Sequence, residues 1–144
     1  TVLHANWTCP PQTTKAFLSY LSRIENKNQF GSLIKLNVTN KIIGVINLNE
    51  IVRGAFQSAY LGYYMFSGFE RRGLMYEALM LSVSYAFNFM QLHRVEANIQ
   101  PDNISSISLI EKCQFVREGY SEKYLCINGE WKDHVRYALT KGGK

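Results

Sequence analysis

The fold is decided by the stretch Phe66-Ser67-Gly68-Phe69-Glu70-Arg71-Arg72-Gly73-Leu74-Met75. A predicted strand over residues 55–66, rich in Tyr and Phe, ends at Phe66, the first residue of this stretch. The longest apolar helical pattern, residues 73–90, starts at Gly73. The first turn of a helix has N–H groups without intrahelical partners, and its dipole favours negative charge. Gly73 permits close approach of a ligand, and Arg71 and Arg72 add positive charge. The junction suits a phosphate or pyrophosphate, although a glycine here is also a common steric convenience.

Two familiar phosphate-binding motifs are absent from this junction. The loop lacks the G-x-x-x-x-G-K-[ST] pattern of P-loop proteins and the G-x-G-x-x-G pattern of dinucleotide-binding folds. A nucleotide triphosphatase and a dehydrogenase are therefore disfavoured.

Length and composition indicate an ordinary globular protein. The chain has 144 residues, of which 47% are hydrophobic and 19% charged, so we expect a single domain over residues 1–144. No apolar run approaches the ~20 residues that a membrane span needs, and the start of the sequence lacks the pattern of a signal peptide. We expect a cytoplasmic protein without a membrane partner.

Charge and metal-ligand spacing exclude further classes of function. The net charge is +5, but no basic run is longer than Arg71-Arg72, so we expect no direct binding of nucleic acid. Cys9, Cys113 and Cys126 form no CxxC pair, and the three histidines have no metal-ligand spacing. We expect reduced cysteines and no metal, with Cys113 packed in a helix.

The remaining elements follow from hydrophobic periodicity. Thr13 or Thr14 caps a predicted first helix, and Asn103 begins a third. Asn128-Gly129 is a strong hairpin signal. The predicted strands span residues 32–38, 41–48, 55–66, 93–99, 115–127 and 131–140, the first two joined by a turn at Thr39-Asn40. The order α, β, β, β, α, β, α, β, β predicts an α/β fold with a mixed sheet.

Several segments taken in order resemble the GNAT acetyltransferase superfamily. They are Glu70 to Ala78, Val95-Glu96-Ala97-Asn98, Pro101-Asp102-Asn103 and Glu111-Lys112-Cys113-Gln114-Phe115. Within it the chain is similar to the RimJ/RimL group, most of all to RimJ-like ribosomal-protein-alanine N-acetyltransferases. That likeness rests on Val52-Arg53-Gly54, Tyr60-Leu61-Gly62-Tyr63, Gly73-Leu74-Met75-Tyr76-Glu77-Ala78-Leu79, Glu118-Gly119-Tyr120 and Asn128-Gly129-Glu130-Trp131-Lys132-Asp133-His134.

The resemblance implies a particular architecture, α/β (α+β). We expect a mostly antiparallel, twisted mixed sheet with helices on both faces, splayed between the strands at residues 60–66 and 94–99. By the resemblance, we expect the family's usual first strand and helix to be missing or divergent here. A missing strand would expose a sheet edge at which a second copy of the chain could pair.

The resemblance also implies acetyl-coenzyme A (acetyl-CoA) as acetyl donor. Its pyrophosphate would contact the N–H groups of the loop and helix start, and its pantetheine arm would pair with the strand that contains Tyr63 and Met65. The implied loop residues are Arg71, Arg72, Gly73, Leu74, Met75 and Tyr76. Asn103 and Ser106 match the family's N-x-x-S, with Asn103 contacting the cofactor.

The sequence departs from the family pattern at three positions. Glu70 replaces the usual Gln or Arg of Q/R-x-x-G-x-G/A, and Met75 replaces its last Gly or Ala. Met75 is compatible with the pattern if the ligand contact there is made by the backbone. Gln114 stands where the family has the glycine that ends a helix, a position that favours left-handed geometry.

The implied reaction is direct attack of an amine on the acetyl thioester. For the acid that protonates the leaving thiolate, the resemblance indicates Ser106; alternatively, Ser106 only bonds the backbone of the first helical turn. For the base we favour Glu50 at a strand end, against a simple solvated carboxylate. Glu96 is a second candidate, because a carboxylate in an apolar strand needs a reason. Asp133 and His134 are expected to form a hydrogen-bonded pair that is structural rather than catalytic.

Three functions remain open from the sequence. The first is acetylation of a protein N-terminal α-amine, with a ribosomal protein as the partner that the resemblance suggests. The second keeps the chemistry but uses a small amine, such as a polyamine or an aminoglycoside. The third is an acyl-CoA-binding regulatory module without turnover.

Overall fold

A computed structural model describes residues 29–35, 41–66 and 73–142. The predicted first helix and the turn at Thr39-Asn40 lie outside these residues. The described part contains the strands β1 (Phe30–Lys35), β2 (Ile42–Val52), β3 (Ser58–Met65), β4 (Arg94–Ile99), β5 (Val116–Ile127) and β6 (Glu130–Thr140), with the helices α1 (Leu74–Asn88) and α2 (Ile104–Lys112).

The described strands form one mixed sheet in the order β1-β2-β3-β4-β6-β5. Every neighbouring pair is antiparallel except β3 and β4, which are parallel. The predicted fold class is confirmed: a mostly antiparallel mixed sheet with packed helices. Pairing of another chain with a sheet edge stays a prediction.

The parallel pair β3–β4 is short and opens into a gap. Its register comprises Ser58↔Arg94, Ala59↔Val95 and Tyr60↔Glu96. β3 continues to Met65, still paired with β2, and β4 continues to Ile99, still paired with β6. Beyond Tyr60 and Glu96, β3 and β4 are therefore no longer paired with each other. This is the predicted splay, and it lies at the centre of the sheet.

Strand alternation separates two faces of the sheet at this gap. Ala59, Leu61, Val95 and Ala97 belong to the hydrophobic core, which also contains Met75, Leu79, Val83 and Ala86 of α1 and Ile110 of α2. Both described helices thus pack on this face, named here the helix face. The alternate residues Tyr60, Gly62, Glu96 and Asn98 lie on the opposite face.

The strand bounds near the gap differ from the predicted ones because β2 contains an irregularity. β2 extends to Val52 rather than ending at residue 48, and its register with β3 shifts between Asn49 and Val52. Glu50 lies inside this bulge with φ +50°. β3 begins at Ser58 rather than at residue 55.

Two left-handed positions follow the sequence signals. Asn128 and Gly129 have φ of +54° and +82°, as the turn between β5 and β6 requires. Gln114, directly after α2, has φ +71°. The N–H of Gln114 donates to Glu111 O (3.0 Å), and the N–H of Phe115 donates to Ile110 O (3.2 Å). This is a Schellman ending built on a residue other than glycine. Among the described residues, no helix is long and apolar enough to cross a membrane.

Candidate active site

The N-terminus of α1 offers backbone donors beside open space. Gly73 is the N-cap residue, with φ +71° and ψ +1° and no side-chain capping bond. The N–H of Glu77 donates to Gly73 O (3.1 Å) and starts the helical ladder. The N–H groups of Leu74, Met75 and Tyr76 precede that ladder, so they lack intrahelical acceptors. A Cβ added at Gly73 would meet nothing within 4 Å among residues 29–35, 41–66 and 73–142.

These features fit the pyrophosphate of a coenzyme. Gly73 combines a positive φ with space for a ligand, and the helix dipole favours an anion here. The side chain of Met75 is only 9% exposed and belongs to the core. Its contact with a ligand would therefore be made by the backbone, which agrees with its replacing a small residue. Arg71 and Arg72, and with them Glu70, lie outside the described residues.

A hydrogen-bonded pair of hydroxyls connects β3 to α2 on the helix face. Tyr63 Oη lies 2.7 Å from Ser106 Oγ and donates to Ser106 O at 3.3 Å. Burial raises the pKa of Tyr63 well above its usual value, so the phenol stays protonated at neutral pH. Ser106 does more than bond its own helical turn, because its hydroxyl contacts the strand that borders the gap.

Asn103 positions Ser106. It is the N-cap of α2, and its Oδ1 accepts from Ser106 N and from Ser105 Oγ, both at 3.3 Å. Capping fixes the first turn of α2 and hence the direction of the Ser106 side chain. A contact between Asn103 and the cofactor stays a prediction. So does pairing of Tyr63 and Met65 with pantetheine, on the part of β3 that lies beyond its pairing with β4.

The two carboxylates considered as bases have different surroundings. Glu50 is exposed, in the bulge of β2, and its role as base stays a prediction. Glu96 Oε2 accepts from Arg94 Nε (3.1 Å) and from Ser58 Oγ (3.4 Å). Arg94 also pairs with Glu118, and this hydrogen bond raises the pKa of Arg94 and lowers that of Glu118. The ion pair supplies the structural reason for a carboxylate in β4.

Asp133 and His134 do not form the expected pair with each other. Asp133 accepts from Tyr120 Oη (2.7 Å) and from Lys123 N (2.8 Å). Nδ1 of His134 lies 2.9 Å from Lys132 O, and burial lowers the pKa of His134. The side chains of Asp133 and His134 both form contacts within the β5–β6 hairpin. Their role is therefore structural, as expected, but each has a different partner from the one predicted.

Sequence reasoning missed two polar features near the gap. One is the Tyr63–Ser106 contact, because nothing in either segment indicates that their hydroxyls meet. The other is a pair of buried side-chain atoms that have no hydrogen-bond partner among the described residues, Asn47 Oδ1 and Asn98 Oδ1. The positions of Asn47 and Asn98 in apolar strands were the available signal, since asparagine is depleted in strands.

Comparison with known proteins agrees with this geometry. Residues 2–116 match the family profile described as an acetyltransferase (GNAT) domain. The chain is 38% identical over 125 residues to the probable N-acetyltransferase YjcK of Bacillus subtilis, covering 87% of this chain and 69% of that protein. It is 43% identical over 100 residues to the [ribosomal protein uS5]-alanine N-acetyltransferase of Escherichia coli, covering 69% of this chain and 52% of that protein.

A solved structure that shares the fold contains a coenzyme ligand. Mycobacterium smegmatis RimJ in complex with CoA-disulfide superimposes with a TM-score of 0.85 at 25% identity, covering 94% of this chain and 69% of that one. The present chain spans about half the length of the E. coli relative.

Proposed function

The chain belongs to the GNAT acetyltransferase family, and from that premise we propose that it transfers the acetyl group of acetyl-CoA to the N-terminal α-amine of a protein. The observation that carries the proposal is the open N-terminus of α1 at Gly73, which follows the strand that borders the central gap. The N-terminus of a ribosomal protein, of the kind that begins with alanine, is the proposed acceptor. The expected location is the cytoplasm.

Binding of the donor is assigned to two parts of the chain. The N–H groups of Leu74, Met75 and Tyr76 would hold the pyrophosphate, assisted by Arg71 and Arg72. The part of β3 near Tyr63, which lies beyond its pairing with β4, would pair with the pantetheine arm. Acetyl-CoA supplies an activated acetyl thioester, which these contacts direct into the gap.

The hydroxyl pair supplies the proton for the leaving sulfur. Ser106 Oγ donates that proton, and Tyr63 Oη, 2.7 Å away, can donate to Ser106 in turn. Burial keeps Tyr63 protonated, as a donor must be. At the other end of the reaction, an α-amine with a pKa of about 8 needs only modest help to lose its proton. Glu50, acting through a water molecule, is the proposed base.

The acceptor class is supported by the relatives rather than by a particular pocket. The E. coli relative carries the name of a ribosomal-protein-alanine N-acetyltransferase. A peptide N-terminus also needs a binding surface on the face opposite the helices, where Tyr60, Gly62, Glu96 and Asn98 lie.

A panel of amines tests the proposal. Purified protein is mixed with acetyl-CoA and with peptides that begin with Ala, Ser or Thr, alongside spermidine and an aminoglycoside. Thiol release and acceptor mass are measured together. We expect thiol release with a gain of one acetyl group on a peptide α-amine. A gain on a small amine only would replace the acceptor class, and cofactor binding without any gain would favour a regulatory module.

A pair of adjacent serines provides the control for the acid. Ser106→Ala removes the hydroxyl that contacts Tyr63, whereas Ser105→Ala removes an exposed hydroxyl that bonds only Asn103 Oδ1. We expect turnover to fall about a hundredfold in Ser106→Ala and to stay near the wild-type rate in Ser105→Ala. Equal rates in the two variants would contradict the role of Ser106.

A further inference from the structure

Within the described part of the chain, two buried amide oxygens near the gap have no hydrogen-bond partner. They are Asn47 Oδ1 on β2 and Asn98 Oδ1 on β4, and the Asn47 side chain is only 9% exposed. A buried acceptor without a partner costs free energy, and native structures contain few of them. Two such atoms beside one opening therefore call for a donor that binds there.

Strand register places both asparagines on the same side of the sheet, at the same level of the gap. Asn47 pairs directly with Gly62 of β3. Tyr60 pairs with Glu96 of β4, so Gly62 and Asn98 each lie two residues further along their strands. Because residues two apart share a face, Asn47, Gly62 and Asn98 lie beside the gap on one face of the sheet, opposite the described helices. We call this set the asparagine cleft.

Gly62 leaves space between the two asparagines. Among the residues that the structure describes, a Cβ added at Gly62 would meet only one group within 4 Å, the Nδ2 of Asn49 at 3.6 Å. Any larger residue would extend a side chain into the cleft, between the strands that hold the two oxygens.

The chemistry of the cleft suits a neutral primary amine. Amide oxygens accept N–H bonds but carry no charge, so they do not stabilise an ammonium as a carboxylate would. The carboxylate of Glu96, two residues before Asn98 on β4, is already held by Arg94 and Ser58. Arg136, the register partner of Asn98, donates through Nε to Ser121 Oγ, and its charge disfavours an ammonium close by.

We propose that Asn47 and Asn98 bind the two N–H groups of the acceptor amine and leave its lone pair directed at the acetyl group in the gap. The inference rests on the proposed function and deepens it by assigning the acceptor-binding residues. It also defines the substrate class: a primary amine satisfies both oxygens, whereas a secondary amine has only one N–H to offer.

Isosteric apolar substitution gives the main test. In Asn47→Leu and Asn98→Leu we expect the KM for an Ala-initiated peptide to rise about tenfold or more, with the KM for acetyl-CoA unchanged. The melting temperature should not fall, because each change removes a buried acceptor that lacks a partner. Asn88→Leu is the control, since Asn88 lies on α1 and donates to Ser84 Oγ. A lowered melting temperature with an unchanged peptide KM would show that the asparagines are structural.

Two further measurements separate this inference from the proposed function. The wild-type protein should acetylate the Ala-initiated peptide at least about tenfold faster than the same peptide with N-methylalanine. Calorimetric titration with free CoA present should show that the unacetylated peptide binds wild-type protein more tightly than it binds Asn98→Leu. If the wild type acetylates peptides but the asparagine variants bind and turn them over unchanged, the cleft assignment is wrong and the activity stands. If no peptide is acetylated or bound, the proposed function fails first.

Discussion

Replacing Gln114 by glycine should stabilise the protein, and the gain in the free energy of unfolding can be estimated from the backbone conformation. Gln114 adopts φ +71° at the end of α2, where its N–H and that of Phe115 close a Schellman ending. Its side chain makes one weak contact, from Nε2 to Lys112 O at 3.5 Å. A residue with a Cβ is destabilised by roughly 1–2 kcal/mol in left-handed geometry. Gln114→Gly relieves this strain and removes only a weak side-chain contact.

The expected gain is the difference between two backbone effects. Glycine removes the strain but loses roughly 0.5–1 kcal/mol more chain entropy on folding. The net stabilisation is about 0.5–1 kcal/mol, which raises the melting temperature of a domain of this size by about 2–3 °C. Thermal and urea unfolding of Gln114→Gly and wild type would measure it.

Ser108→Gly is the matched control for this change. Ser108 is exposed on the same helix, where glycine costs roughly 0.5–1 kcal/mol. Opposite signs for the two glycine variants are expected. If Gln114→Gly destabilised the protein as Ser108→Gly does, the reasoning from left-handed strain would be refuted.

Three other perturbations have expected outcomes. Burial lowers the pKa of His134 in the folded protein, so the unfolded chain binds a proton more readily as the pH falls. The stability that neutral His134 contributes above about pH 6.5 is therefore lost at lower pH. Between pH 8 and 5, the melting temperature of His134→Gln should fall less steeply than that of the wild type. Arg94→Gln leaves the Glu96 carboxylate, with its side chain 13% exposed, without its cation, and urea unfolding should show a loss of about 2–3 kcal/mol. Tyr63→Phe removes the hydroxyl 2.7 Å from Ser106 Oγ. Steady-state kinetics should show a decrease in kcat of about tenfold at most, and titration should show unchanged affinity for acetyl-CoA.

Periodicity and turn chemistry predicted most of the described fold. The hairpin at Asn128-Gly129 followed from a dipeptide that prefers positive φ at both positions, and both angles are positive. The end of α2 at Gln114 followed from the family's glycine position. The extent of β2 did not follow, because the bulge between Asn49 and Val52 depends on pairing with β3 rather than on local propensity.

The candidate site was predictable only where the backbone determines it. Gly73 was identifiable because a helix start after a strand requires no knowledge of distant residues. The contact between Tyr63 and Ser106 joins elements 43 residues apart in sequence. Glu96 was a candidate catalytic carboxylate because its sequence neighbours in the strand are apolar. Its ion pair with Arg94, however, depends on strand alternation and on Glu118 from β5. Such pairings are tertiary and leave no local signal.

Binding of acetyl-CoA to glycine variants tests the central claim most directly. Gly73 and Gly54 both have φ +71°, and a Cβ at either would meet nothing within 4 Å, so alanine imposes the same backbone strain at both. In calorimetric titration we expect the Kd for acetyl-CoA to rise about tenfold or more in Gly73→Ala and to match wild type in Gly54→Ala. Wild-type protein that binds no acetyl-CoA, or Gly73→Ala protein that binds it as wild type does, would contradict the account.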